Sequence, residues 1–221
     1  MKVDPEKGKE TSATPAACCA GAILSGGRSR RMGGGVKALA DLAGKPLVQH
    51  VIDRLAPQVR QVMISVETAI PGLESFGLEQ VPDPEPGSNG PLGGLAAVLS
   101  QLDGSGCQWL LMVPCDAPFL PLDLGRNLLR KAESEQTKVA VVRYGSELQP
   151  TFSLWNVGLC GDLNRAVSKD RMAGFKQYLR GTTFSVLDWP SSPLNPFFNI
   201  NDASALEYAR KMMCKQTGST A

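Results

Sequence analysis

Histidine is almost absent: His50 is the only one in 221 residues. That scarcity excludes a Ser-His-Asp nucleophile system and a histidine metal cage. His50 falls in a helical pattern and reads as structural. The six cysteines (Cys18, Cys19, Cys107, Cys115, Cys160, Cys214) show no C-x-x-C pair and no His-paired zinc spacing; they read as reduced core residues. No apolar run is long enough to cross a bilayer, so no membrane association is expected. The first 15 residues are polar, with Lys2, Lys7 and Lys9 against Asp4, Glu6 and Glu10, and hold no signal-peptide core. The cytoplasm is therefore the expected location. A net charge of only +2 gives no field for a nucleic-acid polymer. Two common phosphate motifs are missing as well, the Walker A G-x-x-x-x-G-K-[ST] and the Rossmann G-x-G-x-x-G.

What is present is concentrated in Leu24-Ser25-Gly26-Gly27-Arg28-Ser29-Arg30-Arg31-Met32-Gly33-Gly34-Gly35-Val36-Lys37, five glycines and four basic residues in one stretch. Glycines let a backbone approach a ligand closely. Bare N–H groups beside Arg and Lys suit a phosphate. The alternative is a plain flexible turn.

Around this loop the chain alternates. Cys18 to Leu24 reads as a buried strand, and Ala38 to Leu42 as an extended piece before a turn at Gly44-Lys45. Pro46 stands at the first position of a helix, Leu47, Val48, Val51, Ile52 and Leu55 follow at helical spacing, and Pro57 ends it. Gln61–Val66 is a second strand, completing a βαβ unit. Val81 closes a short strand before a proline-rich loop, and Pro91 to Leu102 is helical. Gln108–Val113 is a continuous apolar strand of the central parallel kind. A helix over Leu122 to Glu135 and a strand over Lys138 to Val142 follow. Thr151 to Trp155 and Thr183 to Trp189 read as strands, Val157 to Val167 and Arg171 to Leu179 as helices. A last helix covers Asp202 to Cys214, with Ser204-Ala205-Leu206-Glu207 as a capping box. The expected organisation is a disordered extension (1–17), one domain (18–214) and a tail (215–221). The expected fold is α/β, a Rossmann-like doubly wound, mostly parallel sheet with helices on both faces.

Ligands of such sheets bind beyond the carboxyl ends of the strands. The glycine-basic loop, Asp83 and Asp116 all fall there. Asp116, in Pro114-Cys115-Asp116-Ala117-Pro118, is placed to hold Mg²⁺, which takes one or two carboxylates plus substrate phosphates. Asp83 and Asp116 are also ordinary turn residues. The chemistry expected is a triphosphate gripped by loop amides, Arg31 and Lys37, with metal on Asp116. A second, anionic substrate attacks the α-phosphate and pyrophosphate leaves. An already ionised nucleophile needs no general base.

The series Leu24-Ser25-Gly26-Gly27-Arg28-Ser29-Arg30-Arg31-Met32-Gly33…Lys37 resembles the signature loop of nucleotidyltransferases, and more narrowly the molybdenum cofactor guanylyltransferases (MobA family). Gly44-Lys45-Pro46-Leu47-Val48-Gln49-His50, Gly90-Pro91-Leu92-Gly93-Gly94-Leu95, Val113-Pro114-Cys115-Asp116-Ala117-Pro118-Phe119 and Phe198-Asn199-Ile200-Asn201 continue the likeness in order over about residues 19–210. The resemblance implies transfer of GMP from GTP to the molybdopterin phosphate with Mg²⁺. It implies GTP contacts from Leu24, Ser25, Gly26, Gly27, Lys37, Ser65, Asp83 and Asp116, metal binding by Asp116, catalytic roles for Arg31, Lys37 and Asp116, and pterin contacts from Asn199 and Asn201. Leu24 to Gly26 would face the base, while Arg31, the glycines and Lys37 hold the triphosphate. GTP and molybdopterin are the implied substrates, and proteins that deliver molybdopterin or receive the product the implied transient partners. Ser65 stands where the family often has Asn, Gln149-Pro150 where it often has His-Pro, and Val36 where it often has Asp. The sister cytidylyltransferases typically read Leu-Ala-Ala-Gly at the loop. A glycine at position 26 leaves room for a purine, which favours guanine. A sugar-phosphate nucleotidyltransferase and a catalytically silent nucleotide-binding regulator are the other readings; the short chain disfavours the first, and retention of Arg31, Lys37 and Asp116 the second.

Overall fold

The structure, a computed structural model, describes residues 18–25, 36–84 and 90–217, with backbone only for 215–217. The expected disordered extension at 1–17 and the loop residues Gly26, Gly27 and Arg31 lie outside the described residues.

Strand β1 (Cys19–Leu24) alternates its side chains between the two faces of a sheet. Cys19 and Ile23 enter one apolar cluster, Ala20, Ala22 and Leu24 the other. Because both faces are covered, the strand is apolar throughout and carries no polar alternation. Strands β2 (Asp41–Leu42) and β3 (Lys45–Pro46) form a small antiparallel pair. Helix α1 (Leu47–Leu55) follows, with Pro46 just outside its first turn and not at its first position. The main sheet continues with β4 (Val62–Val66), β5 (Glu79–Pro82) and β6 (Trp109–Pro114). Helices α2 (Gly90–Leu102) and α3 (Leu124–Glu135) precede and follow β6. Next come β7 (Val139–Tyr144), β8 (Glu147–Asn156), α4 (Cys160–Ser168), α5 (Phe175–Leu179), β9 (Ser185–Trp189) and α6 (Ala203–Thr217).

The seven-stranded order is β5-β4-β1-β6-β8-β7-β9. Only β8 runs antiparallel to its neighbours. A tight turn with Gly145 at φ +60° reverses β7 into β8, a hairpin link that parallel neighbours cannot use. Helices α1 and α3 cover one face, and α2, α4 and α5 the other. Gly21 brings α1 close: a Cβ there would sit 3.0 Å from Leu55 and Val59 side-chain carbons.

Three sequence expectations need correction. The helix expected over Arg171–Leu179 is only Phe175–Leu179. Arg171 has φ +52°, and the segment before α5 is spent tying two helices together: Met172 N–H bonds Ala166 O, and Ala173 O accepts from Leu92 N–H. The last helix is capped by Asp202, whose Oδ1 accepts from Ala205 N–H (2.9 Å) and Ser204 Oγ (2.6 Å). Ser204 is thus inside the first turn, and the helix runs on to Thr217. Among the cysteines, Cys19, Cys107 and Cys115 are buried, but Cys214 is exposed on α6. His50 is structural as expected, its Nε2 lying 2.8 Å from Leu42 O.

Candidate active site

The carboxyl ends of β5, β4, β1 and β6 lie side by side and form one rim. Register places Leu24 beside Ser65 on one side and Pro114 on the other, with Ser65 next to Val81. The chain leaves the sheet at this line. Ser25 N–H bonds Ser65 O (2.8 Å), Asp83 N–H bonds Val66 O (2.9 Å), and Cys115 N–H bonds Leu24 O (3.0 Å). These three bonds hold the strand tips together, so Leu24, Ser25, Ser65, Asp83 and Asp116 share one edge.

Lys37 opens a short 3₁₀ turn, Lys37–Leu39, on the return from the glycine-basic loop. Its ammonium pairs with Asp116 Oδ2 and donates to Asn201 Oδ1 at 2.7 Å. Asn201 arrives from the far end of the chain. Ile200 N–H bonds Asp116 O (3.0 Å), and Ile200 is buried with Leu42, Leu47, Phe119 and Ala209. That small cluster docks the segment before α6 onto the rim.

Three buried side-chain oxygens at this rim have no hydrogen-bond partner among the described residues: Asp83 Oδ1, Asp116 Oδ1 and Asn199 Oδ1. Buried acceptors are nearly always satisfied, so each of these oxygens is an acceptor that a ligand, ion or water could engage. Burial, reinforced by the nearby Glu67, pushes the Asp83 carboxyl up to about 6. Cys115 is pushed up to about 12, first by burial and then by Asp116, with Lys37 and Ser25 pulling the other way. It is a protonated packing residue and no nucleophile.

The sequence reading gave no role to two glycines of α2, Gly93 and Gly94. A Cβ at Gly94 would collide with Ser65 Oγ and come within 3.3 Å of Asp83 Oδ1. The helix can thus approach the rim only without a side chain there. Adjacent glycines inside a helical pattern were the available signal. Glu67 was missed too, and nothing in its sequence context marks it. The described residues hold no group of three or more His, Cys, Asp or Glu able to cage a metal. Asp116, with one oxygen unpartnered, still fits a cation that draws the rest of its shell from phosphates and water.

A mostly parallel sheet with a lysine-paired carboxylate at its carboxyl rim has the form that the nucleotidyltransferase resemblance implies. The profile of the MobA-like NTP transferase domain matches residues 21–183. A molybdenum cofactor guanylyltransferase of Nitrobacter hamburgensis is 34% identical over 200 residues, covering 90% of this chain and 96% of that protein. One from Bradyrhizobium sp. is 35% identical over 194 residues, covering 87% and 92%. Among solved structures, molybdopterin-guanine dinucleotide biosynthesis protein A of Archaeoglobus fulgidus superposes with a TM-score of 0.71 at 22% identity, over 89% of this chain and 99% of that one. A CMP:2-keto-3-deoxy-manno-octonic acid synthetase complexed with CTP gives 0.69 at 13% identity, over 90% and 99%. These two likenesses concern the fold. The chain belongs to the MobA-like NTP transferase family.

Proposed function

We infer that this chain is a molybdenum cofactor guanylyltransferase: it transfers GMP from GTP to the terminal phosphate of molybdopterin and releases pyrophosphate. The observation that carries the chemistry is the meeting of Lys37, Asp116 and Asn201 at the rim where Leu24 and Ser25 leave the sheet. Family membership and the named relatives support the substrates.

In the reaction a molybdopterin phosphate oxygen forms a bond to the α-phosphorus of GTP, and the P–O bond to the β-phosphate breaks. The electron pair leaves with pyrophosphate. The attacking phosphate is already ionised, so the chain has no proton to remove; its work is positioning and charge. Leu24 and Ser25 would seat the base, a role shared with Gly26 and Gly27 of the adjoining sequence. Ser65 and Asp83 complete that side, and the orphaned Asp83 Oδ1 is an acceptor for a base N–H donor. Lys37 carries three N–H donors, two of them engaged, and with Arg31 it would neutralise the triphosphate. Asn199 Oδ1, also orphaned, is an acceptor on the side of the incoming pterin. A divalent metal, Mg²⁺ in the finer reading, would be held by Asp116 and would neutralise phosphate charge when bound.

A cytoplasmic setting belongs to the same proposal. Cys18, Cys19, Cys107, Cys115 and Cys160 are free thiols, and no described helix is long and apolar enough to cross a membrane. Transient contacts with proteins that supply molybdopterin, and with molybdoenzymes that take the product, complete it.

The test uses GTP labelled at the α-phosphate, Mg²⁺ and molybdopterin cofactor. Label in a pterin dinucleotide, with release of pyrophosphate, is expected. CMP transfer from CTP without GMP transfer would reassign the chain to the sister activity. Tight GTP binding with no transfer would make it a silent regulator.

A further inference from the structure

Lys37 and Asp116 were expected to act on different groups, one on phosphate and one on metal. In this structure they hold each other. The ammonium lies on Asp116 Oδ2 and is tethered on its other side by Asn201 Oδ1 at 2.7 Å. We propose that Lys37 is a resident counter-ion of Asp116, parked there by Asn201, and that it makes metal entry depend on nucleotide. The divalent cation joins Asp116 together with the triphosphate and not ahead of it. The proposal rests on Asp116 being the metal carboxylate.

The side chains of Lys37 and Asp116 are only 19% and 11% exposed, so water screens their pairing little and the carboxylate needs a cation at all times. Lys37 supplies it before nucleotide arrives. A metal ion entering alone would meet a like charge on the same carboxylate. It would also find few other ligands, because no group of three or more candidate side chains exists among the described residues. A triphosphate changes both terms: its oxygens accept from the displaced ammonium and enter the metal's own shell. Metal and nucleotide therefore strengthen each other's binding by the same factor, as linkage requires.

Asn201 is a positioning residue in this arrangement. Its backbone neighbour Ile200 is fixed to Asp116 O, so the amide sits where it can hold Nζ over the carboxylate instead of leaving it to solvent. An exposed residue otherwise assigned to the pterin side thus governs the resting place of the nucleotide-side lysine.

The test is Mn²⁺ binding to the full chain by electron paramagnetic resonance, with and without a GTP analogue whose α–β bridge is a methylene. Wild type should bind Mn²⁺ weakly alone and about 5- to 150-fold more tightly with the analogue, the usual span of coupling. Lys37→Met should bind Mn²⁺ alone more tightly than wild type does, with the part of that gain that comes from removing the ammonium already present. Lys37→Arg, which keeps the cation, should stay weak, and Asn201→Ala should fall between. Adding Asp116→Asn to Lys37→Met should remove the gain. The proposal is overturned if wild type binds Mn²⁺ equally well with and without the analogue, if Lys37→Met is no tighter than wild type, or if the gain survives Asp116→Asn. Asn201→Ala behaving as wild type overturns the parking role. No Mn²⁺ binding even with the analogue would overturn the metal assignment itself. Because the analogue's own phosphates also bind Mn²⁺, the comparison of wild type with Lys37→Met and Lys37→Arg without nucleotide decides the role of Lys37, with circular dichroism confirming that each variant folds.

Discussion

Asp116 presents two unequal oxygens, one on Lys37 and one buried without a partner among the described residues. Asp116→Ala should fold, by circular dichroism, and lose GMP transfer by about 10²-fold or more, the scale for removing a group that organises transition-state charge. Wild-type turnover in that variant would refute the role. Gly94 supports a second residue-level prediction. Gly94→Ala should cost about 1–3 kcal/mol by overpacking against Ser65 Oγ, with weaker GTP binding. Ser65→Ala should restore part of this, because the Cβ–Cβ separation of 3.6 Å is ordinary contact; additive losses in the double-mutant cycle would show that the two positions are uncoupled. For Asp83 the sign is fixed by its raised pKa. The folded carboxyl titrates near 6 against an ordinary 3.8, so the folded chain holds a proton that the unfolded chain releases between about pH 4 and 6. This term favours the fold at low pH and is lost as pH rises through 6. The stability advantage of Asp83→Asn over wild type should therefore grow between pH 4 and 6 and then level off. GTP affinity should move the other way, falling below pH 6 as the acceptor is protonated. Chemical denaturation and nucleotide titration across that range check both. Lys37, Asp83 and Asp116 could be picked out beforehand because each follows a glycine-rich or apolar run at a strand tip. Gly94 was marked only by the Gly93-Gly94 pair inside a helical pattern, and Glu67 by nothing, since their effect comes from another element lying against them.

Among the elements, α1 does more than cover the sheet. Gln58, just past its end and buried, donates to Arg54 O (2.8 Å) and Pro121 O (2.9 Å) and accepts from the buried Gly125 N–H (2.9 Å). Arg54 Nε donates to Leu120 O at 2.6 Å. Together they clamp the segment that leaves Asp116 and enters α3. Gln58→Ala strands the Gly125 N–H and should cost about 1–3 kcal/mol. For a chain of this length that lowers the melting temperature by roughly 2–4 °C per kcal/mol. An unchanged melting curve would show that the clamp is redundant. Elements with strong periodicity or a continuous apolar run were legible in the chain: β1, α1, β4, α2, β6 and α3 lie within a residue or two of expectation. The Arg171 segment was not, because its apolar spacing suits a helix while its backbone bonds to α2 and α4. The Asp202 cap was passed over for a Ser204 motif that fits the same pattern two residues later; only the hydrogen bond distinguishes them.

At the scale of the molecule, strand alternation implied a mostly parallel sheet, and the sheet has that form. The reversal of β8 was not legible, since a hairpin and a crossover leave similar strand patterns and only the turn at Gly145 separates them. Nor was the bond between Lys37 and Asn201, which are 164 residues apart and meet because the Ile200 cluster folds the chain's end back onto the rim. Under the proposed function one edge would serve two substrates, the nucleotide on the β1–β4–β5 side and the acceptor against the 197–201 segment. The most direct test is a competition in one tube: chain, Mg²⁺, molybdopterin cofactor and equal GTP and CTP, with the pterin dinucleotide identified by mass spectrometry. The guanine dinucleotide as the predominant product is the predicted result; a cytosine dinucleotide, or no dinucleotide at all, would contradict the account.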